Sequence, residues 1–155
     1  MSETVLRVKN LETFYGPVMA IRGVTLEVGK GQIVTILGSN GAGKTTILKT
    51  ISGAIEPQKG SVEFDGEAIT GMEPDEIARA GIRHVPEGRE VFPFLTVREN
   101  LEVGAFSEPD RKQVQRQMDR VFDFFPDLSR LYNHEAVYLS GGQQQMLAIG
   151  RALMV

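Results

Sequence analysis

Cysteine is absent from all 155 residues, which excludes disulfides and thiolate metal centres and fits a reducing compartment. Long apolar runs are absent too. No stretch approaches the ~18 residues that a membrane-crossing helix needs, and the N-terminus does not read as a signal peptide. Direct membrane insertion is therefore not expected, and any link to a membrane would run through a partner. The default expectation is a soluble, cytoplasmic chain. Excess positive charge is missing as well. Seventeen Lys and Arg stand against 20 Asp and Glu, a net charge of −3, so no footprint for nucleic acid is visible. Internal repeats and low-complexity segments are lacking. What remains is an ordinary 41% apolar fraction in a length that suits one domain with a buried core.

The most informative stretch that is present is Gly38-Ser39-Asn40-Gly41-Ala42-Gly43-Lys44-Thr45-Thr46. It follows the β-branched run Ile33 to Leu37 and opens the segment Ile47-Leu48-Lys49-Thr50-Ile51. That is the strand–loop–helix context in which G-x-x-x-x-G-K-[ST] binds phosphates. Glycines let consecutive N–H groups point inward at phosphate oxygens, and a helix starting near Lys44 adds the positive end of its dipole. The ammonium of Lys44 is expected at the β- and γ-phosphates, and the Thr45 hydroxyl on Mg²⁺. ATP and Mg²⁺ are thus the expected ligands.

Around this stretch, residues 5–9 and 24–28 alternate as strands, and 61–66 alternate again with Asp65-Gly66 as a hairpin turn. Pro74 to Ala80 predicts a short helix stopped by Gly81, and 82–85 a buried strand ended by Pro86. Beyond residue 90 the signals turn helical. Thr96 and Glu99 form a capping box, and Val114, Met118, Val121, Phe122 and Phe125 line one helix face. A last helix is expected from Gly141. The chain therefore divides near residue 90 into a β-rich half, 1–90, and a helical half, 91–155.

A second motif, Leu139-Ser140-Gly141-Gly142-Gln143, stands just before that last helix. On physics alone it is a helix N-terminus able to cap itself or to bind an anion. Together with the phosphate loop and the continuation Gln144 to Leu153, it resembles the signature motif of ATP-binding cassette (ABC) ATPases, a resemblance that covers the whole chain. It implies an α/β P-loop NTPase fold of ABC type and a transport-coupled ATPase. It also implies two nucleotide domains that sandwich two ATP molecules head to tail. Ser140, Gly141, Gly142 and Gln143 would then contact ATP held by the second ATP-binding subunit. Tyr15 occupies the place where the family stacks an aromatic on adenine. Glu87 stands where a Mg²⁺- and water-contacting glutamine is usual, and an ionised carboxylate can ligate Mg²⁺ but donates no hydrogen bond.

The stretch from Val85 to Leu101 resembles one subgroup, the ATP-binding subunits of bacterial high-affinity branched-chain amino acid importers. Transmembrane permease subunits are the implied partners, which would hold the chain on the inner face of the membrane. Urea or amide importers are the nearest competitors, and a kinase-like or GTPase P-loop protein lies further off. His84 and His134 match no family catalytic histidine. By resemblance, an apolar strand ending Asp-Glu should follow the signature helix, supplying a Mg²⁺ ligand and the group that polarises water. No segment of 1–155 reads that way, so the sequence is expected to be the N-terminal part of an ABC ATPase, with an incomplete core sheet and deficient in hydrolysis by itself. In that sheet the strands at 33–37 and 82–85 are not neighbours. With two strands missing between them, the gap at ~4.8 Å per strand would be roughly 14 Å.

Overall fold

Alternating apolar residues near the N-terminus build a long antiparallel hairpin. In this computed structural model, which describes residues 3–154, β1 spans Thr4–Tyr15 and β2 spans Val18–Gly29, paired from Thr4 opposite Gly29 to Tyr15 opposite Val18 with register shifts along the way. On its other edge β1 pairs with β3 (Lys59–Phe64), and β3 with the short β4 (Glu67–Ala68), giving the order β2-β1-β3-β4. Asp65 and Gly66 join the last two strands with φ of 48° and 81°, the left-handed pair that a tight hairpin requires. Helix α1 (Lys44–Ile51) lays Ile47 and Ile51 on Val8, Leu11, Ile21 and Val62, and α2 (Pro74–Ala80) adds Ile77. These side chains are almost wholly removed from water, and burying each contributes about 1.5–3 kcal/mol. Gly81, at φ 119°, ends α2 as expected.

Two expected strands do not form. Residues 33–37 and 82–85 carry no ladder, although both read as buried parallel strands. Ile33 is 97% exposed and Leu37 86%, while Ile36 packs against the core. The physical reason is that β-branched composition marks a segment fit for a sheet but cannot supply a neighbour. Among the described residues no strand lies alongside either segment, so their amides and carbonyls stay outside any sheet.

The contact break falls between Ile82 and Arg83, ahead of the boundary near residue 90 suggested by composition. The second unit is helical, as its sequence predicts. Thr96 caps α3 (Val97–Gly104) through the reciprocal box with Glu99. Asp110 caps α4 (Arg111–Phe124), which buries Met118 and Val121 and packs Val114, Phe122 and Phe125 against the same core. Pro126 ends α4 and opens the short α5 (Pro126–Arg130). Helix α6 (Gly141–Leu153) runs closest to α3 and places Leu147 in that core. A Cβ on Gly104 would collide with the Arg151 carbonyl, so the close approach of these two helices requires glycine there.

Candidate nucleotide-binding site

The phosphate loop leaves residues 33–37 and wraps onto the start of α1 within the first unit. Gly43 occupies the N-cap of α1 at φ 96°, and a Cβ there would stand 2.5 Å from Ile21 Cγ2 and 2.9 Å from the Ala20 carbonyl. Only glycine combines that left-handed turn with so close an approach to β2. Helix α1 is in turn locked to β1 by buried hydroxyls. Thr50 donates to the Thr46 carbonyl at 2.8 Å, which leaves Thr13 to donate to Thr50 Oγ1 at 3.1 Å. The loop is thus mounted between the two rigid elements of this unit.

No side chain caps α1. Among residues 40 to 46, Ala42 alone gives its amide to a protein acceptor, the Ser39 carbonyl at 3.1 Å. The remaining amides form a set of donors without acceptors at the positive end of a helix, an arrangement that selects for an anion. Lys44 Nζ donates to the carbonyls of Gly38 and Ser39, each at 2.6 Å, and so folds its charge back over the loop. Thr45 is exposed and its hydroxyl has no partner among the described residues, while Thr46 is buried. A free hydroxyl in the first helical turn beside a lysine fits a Mg²⁺–phosphate pair, since the phosphates provide the other oxygens. Tyr15, 49% exposed, ends β1 opposite Val18, on the strand that carries Ala20 and Ile21 beneath Gly43.

The other expected residues lie in the second unit. Ser140 caps α6 by accepting from the Gln143 amide at 3.2 Å, while its own amide donates to Gln143 Oε1 at 3.0 Å. Gln143 therefore serves its own helix, and the amides at Gly141 and Gly142 remain without acceptors. Glu87 is exposed and makes no hydrogen bond or ion pair among the described residues. It stands in a different unit from Thr45. No group of three or more metal-binding side chains converges among the described residues.

Sequence reasoning missed the side chains that hold the loop following Glu87. Asn100, fully buried, donates to the carbonyls of Phe92, Leu95 and Thr96 at 3.0–3.1 Å and accepts from the Phe92 amide at 2.9 Å. Arg151 stacks on Phe92 at 5.0 Å and donates to the Glu90 carbonyl at 2.7 Å. Burial of its guanidinium lowers its pKa, and the nearby Glu90 opposes that shift. An asparagine inside a helix was the available signal for the first of these, because such residues are unfavourable there unless bonded elsewhere.

A model of the ABC transporter family matches residues 21–155. The chain belongs to the ABC transporter family. It is 47% identical to the high-affinity branched-chain amino acid transport ATP-binding protein BraG of Pseudomonas aeruginosa over 150 residues. That match covers 97% of this chain and 64% of the relative. A probable branched-chain amino acid transport ATP-binding protein, LivF of Archaeoglobus fulgidus, is 35% identical over 97% of this chain and 63% of its own length. The chain thus spans slightly less than two thirds of these relatives. Among solved structures, a nucleotide-free ATP-binding cassette from an ABC transporter matches with a TM-score of 0.83 at 33% identity, covering 97% of this chain and 65% of that one. The ADP conformation of the cassette MJ1267 matches at 0.81 and 32%, over 97% and 65%. The fold is accordingly that of a P-loop ABC ATPase cassette with mixed helix and sheet. No helix among the described residues is long and apolar enough to cross a membrane.

Proposed function

We propose that this chain is the nucleotide-binding part of an ABC importer ATPase, and that the imported solutes are branched-chain amino acids. The observation that carries nucleotide binding is the set of amides from residue 40 to 46, all but that of Ala42 without an acceptor among the described residues, with Lys44 folded over it. ATP would enter with its phosphates against those amides. Lys44 would exchange two neutral carbonyls for the β- and γ-phosphate oxygens, a gain because donor and acceptor would then carry opposite charges. Thr45 would offer its hydroxyl to Mg²⁺. The metal, when bound, neutralises charge on the phosphates. Tyr15 would lie against adenine, with Glu87 as a further Mg²⁺ or water contact. The solute assignment rests on the relatives' names and on the stretch from Val85 to Leu101, since no residue here is placed to touch a solute.

In the assembled protein, Ser140, Gly141, Gly142 and Gln143 would face the γ-phosphate of ATP held by a second ATP-binding subunit. ATP would close that dimer, and hydrolysis would reopen it and drive permease subunits at the membrane's inner face. Calorimetry of MgATP with the wild-type chain and with Lys44→Ala tests the binding step. Loss of binding in the variant is expected, and equal affinity would remove the assignment. A chain of residues 1–155 assayed by itself should release phosphate far more slowly than a transport ATPase. Among the described residues no carboxylate pair is placed for the water, and a general base alone typically contributes ~10²–10⁴-fold.

A further inference from the structure

We propose that Arg89 is an additional cationic ligand for ATP bound by the second subunit, placed beside the signature turn to hold the γ-phosphate from the side. This rests on the reading of Ser140 to Gln143 as the face that meets a partner's nucleotide. It assigns one more side chain to that face and adds no separate site. The observation is a contact within the second unit. A Cβ built on Gly141 would stand 3.0 Å from Arg89 Nη1 and 3.1 Å from Nη2. The guanidinium therefore lies flat against the first residue of α6, in space that any side chain at 141 would fill.

Three features make that contact more than packing. First, Arg89 has no acid to neutralise it: it makes no ion pair or hydrogen bond among the described residues, although Glu87 and Glu90 flank it. An unpaired guanidinium keeps all five donors, in the planar fork that matches phosphate oxygens. Second, Gly141, the residue it lies against, has an amide that also lacks an acceptor among the described residues, so a backbone donor and a side-chain cation meet at the first residue of α6. Third, the arginine is held there by its loop. Gly88, Arg89 and Glu90 all take left-handed backbone, with φ of 92°, 73° and 43°, an unfavourable region for the two residues with side chains. Arg151, bonded to the Glu90 carbonyl, and Asn100, bonded to the Phe92 backbone, tie that loop to α6 and α3. The backbone that carries Arg89 beside the signature turn is thus braced, while its exposed side chain makes no competing bond among the described residues.

The test pairs differently tagged copies of the full-length subunit and measures ATP-dependent dimer formation and nucleotide retained per dimer. In one arrangement Lys44→Ala sits on one copy and Arg89→Ala on the other. In the second, both substitutions sit on the same copy beside a wild-type partner. If Arg89 serves the opposite subunit, the first arrangement keeps one intact composite site and retains nucleotide, and the second keeps none. The reverse pattern, or equal retention in both, overturns the proposal. Ser140→Arg carried through the same two arrangements separates the two readings. A trans pattern for Ser140 with indifference at Arg89 defeats only the arginine's role, whereas no pattern for Ser140 defeats the reading beneath it. With Arg89→Ala on both copies, the ATP concentration for half-maximal dimerisation should rise about tenfold or more, the worth of a hydrogen bond to a charged group. Arg89→Lys, which keeps the charge but not the fork, should recover part of that loss. Failure of lysine to do better than alanine would show that the arginine acts only as packing for Gly141.

Discussion

Helices α1 and α6 both begin with glycine-rich turns, yet their N-termini are built in opposite ways. At α1 the cap residue is Gly43 and no side chain satisfies the first turn, so the loop amides and Lys44 wait on an external anion. At α6 the capping box between Ser140 and Gln143 already satisfies the helix, and only the Gly141 and Gly142 amides remain open. The first is a cradle able to enclose phosphates within one chain. The second is a stable edge that, under the proposed function, would contribute a few donors to a site completed by another subunit. The same helix dipole therefore serves two purposes, decided by whether the local side chains consume the donors.

The largest expected effects separate these two ends. Lys44→Ala should cut MgATP affinity of the isolated chain by about 100-fold or more by calorimetry, because two charge-assisted hydrogen bonds disappear together. Ser140→Arg should leave that affinity intact and abolish ATP-dependent dimerisation of the complete subunit by light scattering. Monomer binding lost in Ser140→Arg would merge the two ends into one site and break the distinction. A smaller effect is expected at Asn100, whose buried amide supports the loop after Glu87. Asn100→Ala should destabilise the helical unit by about 1–3 kcal/mol in a denaturant titration, since it strands a buried amide and several carbonyls. Full stability in that variant would mean the loop is held by Arg151 alone.

The capping box of α3 offers the mildest test. Thr96→Ala should cost about 1 kcal/mol of stability. Its companion Glu99 accepts from the Thr96 amide and hydroxyl, and these bonds, the amide's first, hold its pKa below the ordinary carboxylate value. A depressed pKa stabilises the fold above the unfolded value, and that contribution is lost as pH falls through the folded one. Acid titration of stability should therefore be shallower in Glu99→Gln, and an identical acid limb would remove Glu99 from the cap.

Local signals explain what was legible in the sequence. The helix start at Lys44, the capping boxes of α3 and α6, the Asp65-Gly66 turn and the stop at Gly81 are each written within a few residues and each appears in the structure. The stretch 24–28 and the stretch 33–37 carry similar strand signals, yet only the first is a strand. Residues 24–28 pair with β1, whereas 33–37 have no neighbour among the described residues. Pairing is a property of two segments, and a sequence pattern reports only one. Arg89 and Arg151 were illegible for the same reason. Their contacts, to Gly141 and to the Glu90 carbonyl, join residues more than fifty positions apart.

Amide hydrogen exchange on the monomeric chain, with and without MgATP, tests the contrast between the two helix ends most directly. Residues 40 to 46 should gain strong protection with nucleotide, while Gly141 and Gly142 should exchange at unchanged rates until a dimer forms. Protection at 141 and 142 in the monomer, or none at 40 to 46, would contradict the assignment of one end to binding and the other to a partner's nucleotide.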